Sequence, residues 1–290
     1  MNISSLQNNE LCPNRSFLVK VVGIIFKHLL NQGFSYDLCN RGTILNTLLD
    51  VYKDIKNRRN NPDIIPKIPN LYFVNGNSLK TTINPSLLTD KLYGIYAGLD
   101  LPVWLNNPSS CTKKVMVIGQ DPRRNSQEMQ NMPDRITLST PFGLHSLSWR
   151  TSRKGLIHQV FIDLINDYYQ NHGSDLCVYY TDFYKFRRAD ISDDKSVIDS
   201  VNKGLYMDVL QQEIFLFDPD IIIPVGCKTA SDVMNQPIKT ADCFKLCRNK
   251  YVPILHPSGS NNGNIERIKA KFNYSGSTFD FYKDMIRPLI

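Results

Sequence analysis

Two segments of this sequence carry residue types that could do hydrolytic chemistry together. The run Val115-Met116-Val117-Ile118-Gly119-Gln120-Asp121-Pro122 is a short apolar segment closed by glycine, an acid and proline. Such a run reads as a buried strand that stops abruptly and lifts one carboxylate off the C-terminal edge of a sheet. Far downstream, Val252-Pro253-Ile254-Leu255-His256-Pro257-Ser258-Gly259-Ser260 repeats the design with a histidine. Open α/β sheets bind ligands at that edge. A carboxylate and an imidazole on two strand ends suggest a hydrolytic site, with Asp121 and His256 as the catalytic candidates. Taken singly, each has a plainer reading: Asp121 as a turn former or helix cap, His256 as a hydrogen-bonded structural histidine.

For the two to meet, the chain must deliver parallel strands joined by helices. Apolar runs at 113–118, 176–181, 220–225 and 251–255 read as strands, and helical patterns at 156–169, 203–217, 228–234 and 265–272 fall between or after them. The strands are continuously apolar rather than alternating, which calls for a parallel sheet covered on both faces. Residues 111–290 are therefore expected to form an α/β domain, a three-layer sandwich around a short parallel sheet. Residues 1–110 look mostly helical, with helices at 16–30, 43–55 and 85–97 and a basic, proline-containing stretch at 56–67. This N-terminal part ends in the turn-rich Asn106-Asn107-Pro108-Ser109-Ser110.

Hydrophobic content of 42% and charged content of 21% are ordinary for a globular protein. No apolar run approaches the roughly 18 residues that span a bilayer, and the Asn- and Ser-rich start carries no export signal, so a cytoplasmic location is expected. The seven cysteines (Cys12, Cys39, Cys111, Cys177, Cys227, Cys243 and Cys247) include no Cys-x2-Cys pair and read as buried thiols in a reducing compartment. Cys243 and Cys247 have no second ligand pair, so neither a metal nor any other cofactor is expected. The net charge of +7 suits a partner that carries phosphates.

Four segments fall near predicted strand ends: Gly119-Gln120-Asp121-Pro122, Ser139-Thr140-Pro141-Phe142-Gly143-Leu144-His145-Ser146, Thr181-Asp182-Phe183-Tyr184-Lys185-Phe186-Arg187, and His256-Pro257-Ser258-Gly259. Over about residues 111 to 275, this set resembles the uracil-DNA glycosylase superfamily. The first is similar to its water-activating motif and the last to its His-Pro-Ser motif. The third is similar to the Thr-Asn-x-x-Lys-x-Arg segment of the thermostable branch, with Asp182 where that branch has Asn. Pro141-Phe142 is similar to the Pro-Phe that supplies a stacking ring. The resemblance implies a DNA glycosylase that flips a base out of DNA and hydrolyses its N-glycosidic bond, leaving an abasic site. The reaction passes through an oxocarbenium-like sugar, so Asp121 would stabilise the cation and position water. His256 would meet the negative charge growing on the departing base. Gln120, Phe142, Asp182 and Arg123 are the expected base-binding residues. Ser258, Gly259, Ser260 and Arg124 are the expected phosphate contacts, helped by a helix N-terminus near Asn264. Phe142 reads equally well as a core ring and Arg123-Arg124 as a solvated face, while His145 reads more readily as a polar loop residue than as a second ligand to the substrate. No lysine adjoins Asp121 or His256 to form a Schiff base, so the activity would be monofunctional.

Three departures from the family shape the expected substrate. Arg123 stands where the uracil-specific branch has a Tyr that closes the pocket at C5, so a bulky 5-substituent would be admitted. Asp182 replaces the Asn that reads uracil. An ionised carboxylate only accepts hydrogen bonds, which suits the N4 amino group of cytosine and not O4 of uracil. Alternatively, Asp182 is a strand-end acid paired with Lys185 or Arg187. Finally, Gly259-Ser260-Asn261-Asn262 offers no apolar wedge for the gap left by a flipped base, and the iron–sulfur cysteines of the thermostable branch are missing. These features point to a 5-modified, glucosylated hydroxymethyl cytosine of phage DNA, the target of antiviral glycosylases in this superfamily. The competing readings are a uracil-DNA glycosylase of base-excision repair and a non-catalytic DNA-binding protein on the same fold.

Overall fold

The computed structural model describes residues 16, 17, 19–21, 23–25, 35, 36, 67–72, 96–100, 102–120, 135–139, 141–143, 155–188, 203–247 and 250–290. Its strands are β1 (Ser35–Tyr36), β2 (Lys67–Tyr72), β3 (Tyr96–Asp100), β4 (Val103–Leu105), β5 (Lys113–Gly119), β6 (Arg135–Ser139), β7 (Leu176–Asp182), β8 (Phe186–Arg188) and β9 (Ile221–Pro224). Its longer helices from residue 156 onward are α1 (Leu156–His172), α2 (Lys203–Phe217), α3 (Cys227–Met234), α4 (Asn262–Lys271) and α5 (Thr278–Ile286).

A four-stranded sheet in the order β4-β7-β5-β9 carries the strand ends of interest. β5 pairs in parallel with β7 on one side and β9 on the other, and β4 runs antiparallel to β7. The sheet is mixed and mostly parallel. The expected strands at 113–118, 176–181 and 220–225 correspond to β5, β7 and β9; β4 was not anticipated.

The expected strand at 251–255 requires correction. Those residues run beside β9 but meet it only as isolated bridges, Ile222 to Tyr251 and Val225 to Ile254. The hydrogen bonds show why. Ile222 N–H donates to Lys250 O, Val252 N–H to Ile222 O, Ile254 N–H to Pro224 O and Gly226 N–H to Ile254 O, at 2.7–3.0 Å. The rung between these two pairs would need an N–H from Pro224, and proline has none.

Alternation along the strands splits their side chains between two cores. Val103, Leu105, Val115, Val117, Val178, Tyr180, Ile221 and Ile223 join a cluster with Phe161 of α1, Ile265 of α4 and Phe281 of α5. On the opposite face Trp104 stacks on Tyr179 at 6.0 Å, and Phe217 of α2 lies 5.0 Å from the same ring. Phe17 closes this side edge-on to Trp104 at 4.9 Å. Helices therefore flank both faces, which is what the continuous apolar runs require.

α1 to α4 fall where helical periodicity places them, within a few residues at their ends. α1 runs one turn further than expected and stops at Gly173, whose φ of 63° closes the helix through an N–H bond to Tyr169 O. α5 was not anticipated, although its start carries a local signal: Ser277 Oγ accepts the N–H of Asp280.

In the N-terminal part, residues 16, 17, 19–21 and 23–25 are helical, and Phe17, Val21 and Ile25 recur every four residues on the buried side. A second sheet, in the order β1-β2-β6-β3-β8, draws three of its five strands from the first 100 residues. The expected helix at 43–55 lies outside the described residues. Residues 96 and 97, the end of the expected helix at 85–97, open β3 instead.

Of the five described cysteines, Cys177 and Cys243 are buried, while Cys111, Cys227 and Cys247 are half-buried. All five are free thiols. A hydrogen bond with Cys177 lowers the Cys111 pKa, while burial raises those of Cys177 and Cys243. Among the described residues no helix is long and apolar enough to cross a membrane, and no group of three or more His, Cys, Asp or Glu is placed to hold a metal ion.

Candidate active site at the strand ends

The parallel register lines up the chemistry-bearing residues. Gly119, the last residue of β5, is the direct partner of Asp182, the last residue of β7. On the other side of β5, Val225 N–H bonds Ile118 O at 2.8 Å and begins the turn into α3. The bridge from Val225 to Ile254 brings the following Leu255-His256 to the same edge. Along this edge the order is Asp182, then Gly119-Gln120, then Gly226, then His256. At about 4.8 Å per strand, His256 stands roughly 10 Å from the end of β5, with Asp182 on its other side.

Gly119 is the close-approach point. A Cβ added to it would lie 2.0 Å from Asp182 Oδ1 and 3.2 Å from Phe142 Cζ. The Asp182 carboxylate and the Phe142 ring thus rest directly over the Gly119 α-carbon, and any side chain there would displace one of them. Three segments far apart in sequence converge on this one atom. Asp182 itself is only 3% exposed.

Phe142 is held in an unusual conformation. It sits in a short 3-10 turn, Pro141–Gly143, with φ 56° and ψ 15°. A bulky residue in the left-handed region stores strain, and such strain gathers at functional sites. Its ring is partly buried against the α1-side core and meets Tyr180 edge-on at 6.2 Å. The core and stacking readings are therefore compatible, because one part of the ring packs inward and its tip reaches Gly119. Tyr180 beneath it is fully buried, and burial raises its phenol pKa well above the ordinary value.

The turn after β7 is tied to the end of β5. Phe183 N–H bonds Gly119 O and Tyr184 N–H bonds Gln120 O, each at 2.9 Å. Gln120 is half-buried at this junction. Lys185 does not serve as the partner of Asp182. Its ammonium bonds Thr181 Oγ1 and lies 2.6 Å from Glu213 Oε2 on α2.

His256 is exposed, and its backbone is fixed on both flanks. Tyr282 OH donates to Leu255 O at 2.7 Å, and Asn261 Nδ2 donates to His256 O at 3.1 Å. Gly226 packs below it, with an added Cβ 3.7 Å from His256 Cβ; a φ of 102° requires glycine there. Ser258 precedes a 3-10 turn, Gly259–Asn261, that runs straight into α4. The Ser258 and Ser260 hydroxyls lie 3.0 Å apart, Asn261 Nδ2 lies 3.3 Å from Ser258 Oγ, and Gly259 and Ser260 are exposed. Two hydroxyls and exposed backbone ahead of a ten-residue helix form an arrangement suited to an anion.

Asp121, Arg123, Arg124 and His145 lie outside the described residues. The structure brings Gln120, Phe142 and Asp182 together at the end of β5, and places His256, Ser258, Gly259 and Ser260 on the same edge. Sequence reading missed Gly226 and the ionic cluster of Lys185 and Glu213. A glycine between the apolar run 221–225 and a helix was a usable signal for the first. Nothing local links Lys185 to a residue 28 positions away. A groove of about 510 Å³, lined by Lys20, Gly23, Ile24, Gln211, Phe215 and Leu216, includes none of the strand-end residues. Compared with known proteins, the chain matches no protein-family model and no curated protein.

Proposed function

We propose that this protein is a monofunctional DNA glycosylase with the three-layer architecture of the uracil-DNA glycosylase superfamily. It hydrolyses the N-glycosidic bond of a flipped base and leaves an abasic site. Its substrate is a cytosine carrying a bulky 5-substituent, such as the glucosylated hydroxymethyl cytosine of phage DNA, and its role is antiviral defence. The observation that carries this reading is the convergence of the Asp182 carboxylate and the Phe142 ring on the bare α-carbon of Gly119. A base lying against Phe142 would meet the carboxylate at its pairing edge, and a carboxylate accepts from an amino group.

Several further features support the assignment. Asp121, next after Gly119-Gln120 in the sequence, is the residue proposed to act on the sugar. His256, exposed on the same edge, would stabilise charge on the departing base. Ser258 to Ser260 would hold a neighbouring phosphate, and the net charge of +7 favours a DNA partner. Lys185 is fully buried and engaged by Glu213 and Thr181, so its amine is not offered to a sugar carbon. This agrees with water, rather than an amine, as nucleophile.

The test is an incubation of the protein and its Asp121→Asn variant with oligonucleotides bearing uracil, cytosine, 5-hydroxymethylcytosine or its glucosylated form. Alkali then reveals abasic sites. Cleavage confined to the glucosylated cytosine, and lost in the variant, is the expected result. Cleavage at uracil would return the protein to base-excision repair. Absence of product on every substrate would leave a DNA-binding protein without catalysis.

A further inference from the structure

A buried ionic cluster lies behind the candidate site, and none of the chemistry above uses it. Lys185 and Glu213 are 0% and 1% exposed, with Lys185 Nζ 2.6 Å from Glu213 Oε2. Glu213 Oε1 accepts from Tyr179 OH and Thr181 Oγ1, each at 3.0 Å, and Lys185 Nζ also bonds Thr181 Oγ1. The four residues are linked to one another by these bonds, with Lys185 Nζ donating to two acceptors. Burying such a pair costs several kcal/mol of desolvation, and apolar residues of similar volume are often as stabilising. Stability alone is therefore a weak reason for it.

Its placement suggests another. Thr181 and Lys185 bracket the turn that begins with Asp182. One end of the turn is bonded to Glu213 through Thr181, the other through Lys185, and its middle is bonded to β5 through Phe183 N–H and Tyr184 N–H. α2 contributes the anchor through Glu213, while the strand-end residues contribute the chemistry. A carboxylate that discriminates between an amino and an oxo edge must be held to within about 0.5 Å. We propose that the Lys185–Glu213 pair is a positioning device that aims the Asp182 carboxylate over Gly119 and thereby sets which base edge the site accepts. The second half rests on the glycosylase reading above; the first does not.

The variant Lys185→Met/Glu213→Gln tests it. Both charges go, while the Gln carbonyl still accepts from Tyr179 and Thr181. Lys185→Met alone would strand a buried carboxylate and is expected to unfold. Two readouts are taken on the folded double variant, with its melting temperature as the check on folding. In a crystal structure, Asp182 Oδ1 should leave its place over the Gly119 α-carbon. In competition between cytosine-type and uracil-type oligonucleotides, the ratio of kcat/KM values should fall by about tenfold, the worth of one misplaced buried hydrogen bond. A merely structural pair would change melting temperature and leave that ratio alone. An unmoved Asp182, or a ratio unchanged within about twofold, overturns the proposal. If the unaltered protein releases no base from any substrate, the glycosylase reading fails, and the crystal structure still decides the positioning claim.

Discussion

Gly119 is where a single atom decides the most. With 2.0 Å between an added Cβ and Asp182 Oδ1, Gly119→Ala must push the carboxylate aside. Overpacking of this kind costs about 1–3 kcal/mol in stability. The larger effect is expected on the reaction: an ångström of misplacement costs about 100-fold in rate. Melting temperature and kcat/KM measured side by side would separate the two, and a variant of full activity would show that the carboxylate need not rest there. Asp182→Asn keeps the shape of the side chain and adds a donor. It should move selectivity toward uracil-type bases by about 1–3 kcal/mol, roughly 5- to 150-fold in relative kcat/KM. An unchanged preference would make Asp182 a structural acid. Phe142, with its φ of 56°, shows the limit of reading residues one at a time. Its Pro-Phe context was visible in the sequence, but its strained backbone was not, because the neighbours that hold it there come from β5 and β7.

At the scale of elements, strands β5, β7 and β9 and helices α1 to α4 were legible, because continuous apolar runs and helical spacing are local properties. β4 was not: three residues are too short to show a period, and Trp104 belongs to one core while Val103 and Leu105 belong to the other. The segment before His256 was read as a strand because its residues are apolar, and the missing N–H of Pro224 interrupts its ladder. A segment with a broken ladder needs other supports. Tyr282 OH supplies one by bonding Leu255 O across 27 residues of sequence. Tyr282→Phe should therefore cost about 1–2 kcal/mol, the penalty of an unsatisfied buried carbonyl, measured by denaturant unfolding. If the protein is the glycosylase proposed above, it should also lower kcat through looser placement of His256. A variant as stable and active as the parent would show that the backbone bonds to Pro224 and Gly226, with Asn261, hold the segment without it.

At the scale of the molecule, the net charge of +7 bears on the proposed binding of DNA. If three phosphates are contacted, raising salt fourfold should weaken binding about fortyfold by counterion release. Fluorescence anisotropy with a labelled oligonucleotide would check this, and a salt-independent affinity would contradict an electrostatic interface. The sequence by itself determined that α/β architecture was to be expected from residue 111 onward. It also placed Gly119, Asp182 and His256 at the ends of apolar runs, since breakers and periodicity act over a few residues. Only the tertiary structure decided that β5 lies between β7 and β9, that Gly119 faces Asp182, and that Lys185 pairs with Glu213 rather than with its neighbour in the motif. Register and ion pairing join residues tens of positions apart, and they are set by which surfaces pack together, a quantity no local pattern carries.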